Sequence, residues 1–135
     1  MKKLFTTFIA LALLATTGIG QSESTFPYHT RLVNNKGEVF ANTNSNINVS
    51  ILQDSPSGLV AYSETHETTT NESGLAFIKI GSGKSTWGNF DQIDWTKGTY
   101  YIRIGMQQDT GHYISLGTPK MLNVNYYTAQ MGKKK

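Results

Sequence analysis

The chain has 135 residues, of which 38% are hydrophobic and 11% aromatic, with a formal net charge of +3. That composition excludes a disordered polymer. The absence of cysteine excludes a disulfide scaffold, a thiolate metal site, a cysteine nucleophile and a lipobox. The charge sits at the ends: removing Lys2 and Lys3 takes +3 to +1, and setting aside Lys133, Lys134 and Lys135 takes it to −2. Seven basic residues remain, spread from Arg31 to Lys120. No basic groove for nucleic acid is expected from that spread.

Lys2 and Lys3 precede an apolar run from Leu4 to Ala15, and small residues flank a cut after Gly20. This pattern reads as a Sec signal peptide over residues 1–20. The run is too short for a membrane span, which takes about 20 apolar residues. No integral membrane segment is expected once the leader is removed. Removing 20 of 135 residues leaves 115, one domain's worth of chain. The expected organisation is a flexible lead-in over 21–25, a folded domain over 26–129 and a basic tail over 130–135, the tail a solvated, frayed terminus.

Along the chain the signals are strands and turns. Phe26 to Val33 is β-rich, and Asn34-Asn35-Lys36-Gly37 is a turn cluster. Ile47, Val49 and Ile51 alternate with Asn46, Asn48 and Ser50, which predicts a strand with one buried and one wet face. Leu59 to Thr70 is a second long β-prone run, and Asn71-Glu72-Ser73-Gly74 turns the chain. Leu75 to Ile80 is apolar on both faces apart from Lys79, as in a central strand or one crossing between layers. Gly81 to Ser85 reads as a loop, and Trp87 to Trp95 holds room for a single helical turn. Tyr100, Ile102, Ile104 and Met106 alternate with Tyr101, Arg103 and Gly105. The runs Tyr113 to Leu116 and Leu122 to Tyr126 are read as the last two strands, with Pro119 at a boundary between them.

About seven strands, no helical periodicity and regular turn signals predict an all-β antiparallel sandwich, with a layout like transthyretin or prealbumin. The expected core is Val39, Ile47, Val49, Ile51, Val60, Tyr62, Ile78, Ile80, Phe90, Trp95, Ile102, Ile104, Leu116, Leu122 and Val124.

Several stretches together carry a family resemblance: Phe26-Pro27-Tyr28, Asn35-Lys36-Gly37, Tyr62-Ser63-Glu64-Thr65-His66, Thr70-Asn71-Glu72-Ser73-Gly74, Ile93-Asp94-Trp95 and Gly117-Thr118-Pro119. The chain resembles the N-terminal domain of exported Bacteroidota proteins, where such a domain precedes collagen-like or tail-fibre-type modules. The resemblance covers about residues 26–129. The family closes on Val-Pro-Tyr-Ala, whereas this chain reads Val124-Asn125-Tyr126-Tyr127-Thr128-Ala129. The resemblance implies an exported, surface-associated β-sandwich and carries over no catalytic residue.

Candidate chemistry is sparse. His29, His66 and His112 lack the short spacing of a metal motif, so no metal or other cofactor is expected. On a regular strand Glu64 and His66 share one face and Glu67 takes the other, which suits a cross-strand salt bridge or a wet face. Gly81-Ser82-Gly83-Lys84-Ser85 resembles a phosphate loop but lacks its first glycine and a following helix. No nucleophile elbow occurs, so no catalytic residue is assigned. Trp87, Phe90 and Trp95 cluster ahead of Tyr100 and Tyr101. Phe90 and Trp95 are read as packing, and Trp87 as the better candidate for exposure. A ligand platform, if present, is assigned to Trp87, Tyr100, Tyr101 and Tyr113.

The leading expectation is a non-catalytic structural or interaction module, reaching a protein partner or a second copy through strand edges. The alternative is a carbohydrate-binding module using the exposed aromatics, and a small secreted hydrolase ranks third. The expected location is periplasmic, cell-surface or extracellular.

Overall fold

The computed structural model describes residues 25–125. The expected leader over 1–20, most of the lead-in, and the chain from Tyr126 onward lie outside them. Among the described residues eight strands form: β1 (Phe26–Arg31), β2 (Asn44–Gln53), β3 (Val60–Thr69), β4 (Leu75–Ile80), β5 (Lys84–Trp87), β6 (Tyr100–Gln107), β7 (Tyr113–Ser115) and β8 (Lys120–Met121). All pairings are antiparallel. They make two unequal layers, a six-stranded sheet ordered β5-β3-β2-β6-β7 with β8 also on β6, and a two-stranded sheet of β1 and β4. The expected all-β sandwich is the observed architecture.

Register explains the layering. Ile47, Val49 and Ile51 of β2 stand beside Met106, Ile104 and Ile102 of β6 and His66, Glu64 and Tyr62 of β3. Partners across a ladder share a face, so these residues form the inner face of the large sheet. From the small sheet, Phe26, Ala76, Ile78 and Ile80 close onto it in one core cluster. Aromatic rings fill one end: Phe26, Tyr62, Phe90 and Trp95 meet with centroids 5.2–6.3 Å apart. Phe90 opens a 3-10 turn, Phe90–Gln92, capped by the Asn89 side chain.

Two turns share one mechanism. Asn34 accepts through Oδ1 from the N–H groups of Lys36 and Glu38, and Asn71 does the same from Ser73 and Leu75. In each, the glycine three residues on (Gly37, Gly74) donates its N–H back to the asparagine carbonyl. Both glycines have positive φ, near +79° and +76°, which an L side chain resists.

Four expectations need correction. Leu75 to Ile80 is not a central strand; among the described residues it pairs only with β1, and its outward residues, Phe77 and Lys79, are exposed. Lys84 to Trp87 is an edge strand rather than the end of a loop. Leu122 to Tyr126 is not a strand among the described residues; the last pairing is Lys120–Met121, and Val124 and Asn125 are helical. Val39 and Val60 leave the predicted core: Val39 bridges Val33 across the Asn34 turn, outside both sheets, and is 43% exposed, while the shift in register between Ile51 and Leu52 puts Val60 opposite Leu52 on the outer face.

Candidate functional site

The inner face of the large sheet holds a buried carboxylate. Glu64 is 0% exposed. Strand parity aims it inward with Tyr62 and His66, and both bond to it: Tyr62 Oη donates to Oε2 at 2.6 Å and His66 Nε2 meets Oε1 at 2.6 Å. The backbone N–H of Gly81 reaches both oxygens at 3.0 and 3.1 Å, and that of Gly83 reaches Oε2 at 3.1 Å. An ionised carboxylate only accepts, so His66 Nε2 carries the hydrogen it shares. The wet-face and cross-strand readings of Glu64 are therefore wrong: its partners are on its own strand and in the loop leading into β5.

Burial pushes the Glu64 pKa up, but the bonds from His66, Tyr62 and Gly81 outweigh it and hold the carboxyl below its ordinary value. Burial, then the bond to Glu64, raises the Tyr62 phenol well above its ordinary value. The glycine loop does grip an anion with its N–H groups, as a phosphate loop does, but the anion is the protein's own side chain. A Cβ on Gly83 would stand 2.6 Å from His66 Nε2 and 2.7 Å from the Thr65 carbonyl oxygen. Glycine there is what lets the loop close on Glu64. This loop carries the chain from the small sheet to the large one, so the carboxylate ties the two layers together.

The outer face of the same sheet is built differently. One row runs Trp87, Ser63, Ser50, Arg103 across β5, β3, β2 and β6. The next runs Val60, Leu52, Tyr101, Met121 across β3, β2, β6 and β8. Ser50, Ser63 and Leu52 are buried although they face outward. The long side chains on their rows are Trp87, Arg103, Tyr101 and Met121. Trp87 is itself 64% exposed, and Leu59, beside Val60, is 85% exposed. The indole is fixed by Nε1 donating to the Val60 carbonyl at 3.1 Å. Asn48, Ser50 and Ser63 link their side chains at 3.0–3.2 Å to form a polar floor. Together these residues line an open trough of about 570 Å³ that includes Leu59 and Arg103.

The four aromatics assigned to a platform separate. Trp87 and Tyr101 share the outer face on adjacent rows. Tyr113 is on that face but at a far corner, opposite Gln107. Tyr100 is on the other face, buried, its hydroxyl donating to the Asp94 carbonyl at 2.6 Å and its ring against Trp95 at 5.0 Å. Arg103, Ser50, Ser63 and Leu59 were not singled out from sequence; only the strand order brings them to Trp87. Among the described residues, no group of three or more His, Asp or Glu side chains could hold a metal, and no helix is long and apolar enough to cross a membrane.

A family model described as a domain of unknown function, DUF8740, matches residues 27–120, from the first strand to the last. The chain belongs to that family. No curated protein and no solved structure matches the chain.

Proposed function

We propose that this protein is a non-catalytic binding module of a cell-surface or extracellular assembly, and that it holds a glycan on the outer face of its large sheet. The observation that carries the reading is the trough itself. An exposed, hydrogen-bonded indole stands beside a polar floor that offers the amide of Asn48 and the exposed hydroxyl of Thr86. A sugar ring offers an apolar face to stack on an aromatic and hydroxyls to bond to such a floor. The non-catalytic part of the proposal is supported by Glu64. It heads the closest titratable constellation, yet each of its oxygens is already bonded within the fold. Export through a Sec leader is proposed from the residues of 1–20 alone.

Electrophoresis in gels cast with soluble polysaccharides tests the reading. At least one polymer is expected to retard the chain from Gln21 onward, and Trp87→Ala is expected to abolish the retardation with its circular dichroism unchanged. Equal retardation of the variant, or none by any polymer, contradicts the proposal.

A second reading, self-association through strand edges, is favoured by one observation. Among the described residues β5 lies at the edge of the large sheet, exposed along its length and paired only with β3. Light scattering over a wide concentration range tests it: a climbing molar mass supports assembly, and a constant monomer mass removes it.

A further inference from the structure

Arg103 is the feature of the trough that a neutral ligand does not explain. Its side chain is half-buried. Among the described residues it makes no hydrogen bond and no ion pair. The trough lining holds no Asp or Glu at all. A guanidinium carries five donors in a planar fork that matches a carboxylate, and half-burying it without an acceptor is unfavourable. Lys84 adds a second cation to the same face, opposite Thr65 one row beyond the serines, also without an ion pair among the described residues. The carboxylate that the register places on this face, Glu67, is two residues further along β3 and exposed.

Resting on the glycan reading, we propose that the trough selects acidic polysaccharides, binding a uronic acid residue with its ring on Trp87 and its carboxylate on Arg103. The row geometry fits such a ligand. Trp87 and Arg103 are separated by three strand spacings, roughly 14 Å between Cα atoms. Only the two serines lie between them. Both long side chains line the trough. Asn48, partly exposed, and Thr86, exposed, line the same trough and are placed to take the ring hydroxyls.

Isothermal titration with polygalacturonate, alginate and hyaluronan, each against its carboxyl-reduced counterpart, tests the proposal. The reduced polymers keep their rings and lose only the charge. At least one acid polymer is expected to bind at least tenfold tighter than its reduced form. Arg103→Gln is expected to bring the two forms level, while Trp87→Ala weakens both. Lys120→Gln, a charge change outside the trough lining, is expected to leave affinity within twofold. If acid and reduced polymers bind equally and Arg103→Gln changes nothing, the selectivity is overturned while the glycan reading stands. If Lys120→Gln costs as much as Arg103→Gln, binding is diffuse charge attraction and the site is overturned. If no polymer of either kind binds, both proposals fail.

Discussion

Glu64 and Arg103 lie on neighbouring rows of one sheet, on opposite faces, and their surroundings are opposite too. The carboxylate is fully buried and receives bonds from two side chains and two backbone N–H groups. The guanidinium is half-buried, and nothing among the described residues bonds to it. A buried charge satisfied from within holds a fold together. A partly desolvated charge with no partner among the described residues is open to a ligand from outside the chain. On the proposed reading the inner face is the structural side of the sheet and the outer face its contact side.

Breaking the inner side should cost the most. Glu64→Gln keeps the shape but turns an amide NH2 toward donors that need an acceptor. A loss of about 3 kcal/mol is expected in urea unfolding. The same group sets an acid limit. Because its folded pKa lies below the unfolded value, its contribution is present above about pH 4.3 and is lost as pH falls through the folded pKa. Wild-type stability should therefore fall on acidification below that point, and Glu64→Gln should lack that part of the slope. Equal slopes in the two proteins would remove Glu64 as the cause.

Gly83→Ala comes next. The added methyl meets His66 and the Thr65 carbonyl, and a loss of about 1–3 kcal/mol is expected. Asn71→Ala strips an acceptor from two exposed N–H groups, those of Ser73 and Leu75, and should cost about 1 kcal/mol. Asn34→Ala, with the same bonds, should cost a similar amount; a large gap between the two would show that the turns are not equivalent. On the outer side, Arg103→Gln should shift stability by no more than about 0.5 kcal/mol while altering binding. A large stability loss there would make Arg103 structural and erase the contrast between the faces.

Much of this fold could be read from sequence, for physical reasons that also mark where reading stopped. The alternation in β2 and β6 is clean because those strands are neighbours near the sheet's centre, with one face on the core. The turns at Asn34 and Asn71 announce themselves because asparagine and glycine do the bonding locally. Leu75 to Ile80 misled because an apolar residue can face water. Phe77 is outward, its ring 5.9 Å from that of His29, and periodicity does not register which layer a strand joins. β5 was missed because Lys84-Ser85-Thr86-Trp87 is a short, exposed edge strand with no apolar alternation.

The two faces differ in legibility as well. The parity of Tyr62, Glu64 and His66 was visible, but the backbone donors that satisfy Glu64 begin 17 residues later and leave no side-chain signature. Trp87 stood out by its residue type. Its companions Ser63, Ser50 and Arg103 come from three other strands, and only the order β5-β3-β2-β6 puts them in one row.

The contrast between the faces is tested most directly by amide NMR shifts of the isotope-labelled chain during titration with an oligogalacturonate. The account predicts shifts concentrated at Trp87, Ser63, Ser50 and Arg103 on the outer face, with Glu64, Gly81 and Gly83 moving little and the Trp87 indole N–H moving most. Shifts centred on the small sheet, on Tyr28 and Arg31 or on Phe77, would place the contact side elsewhere and contradict the account.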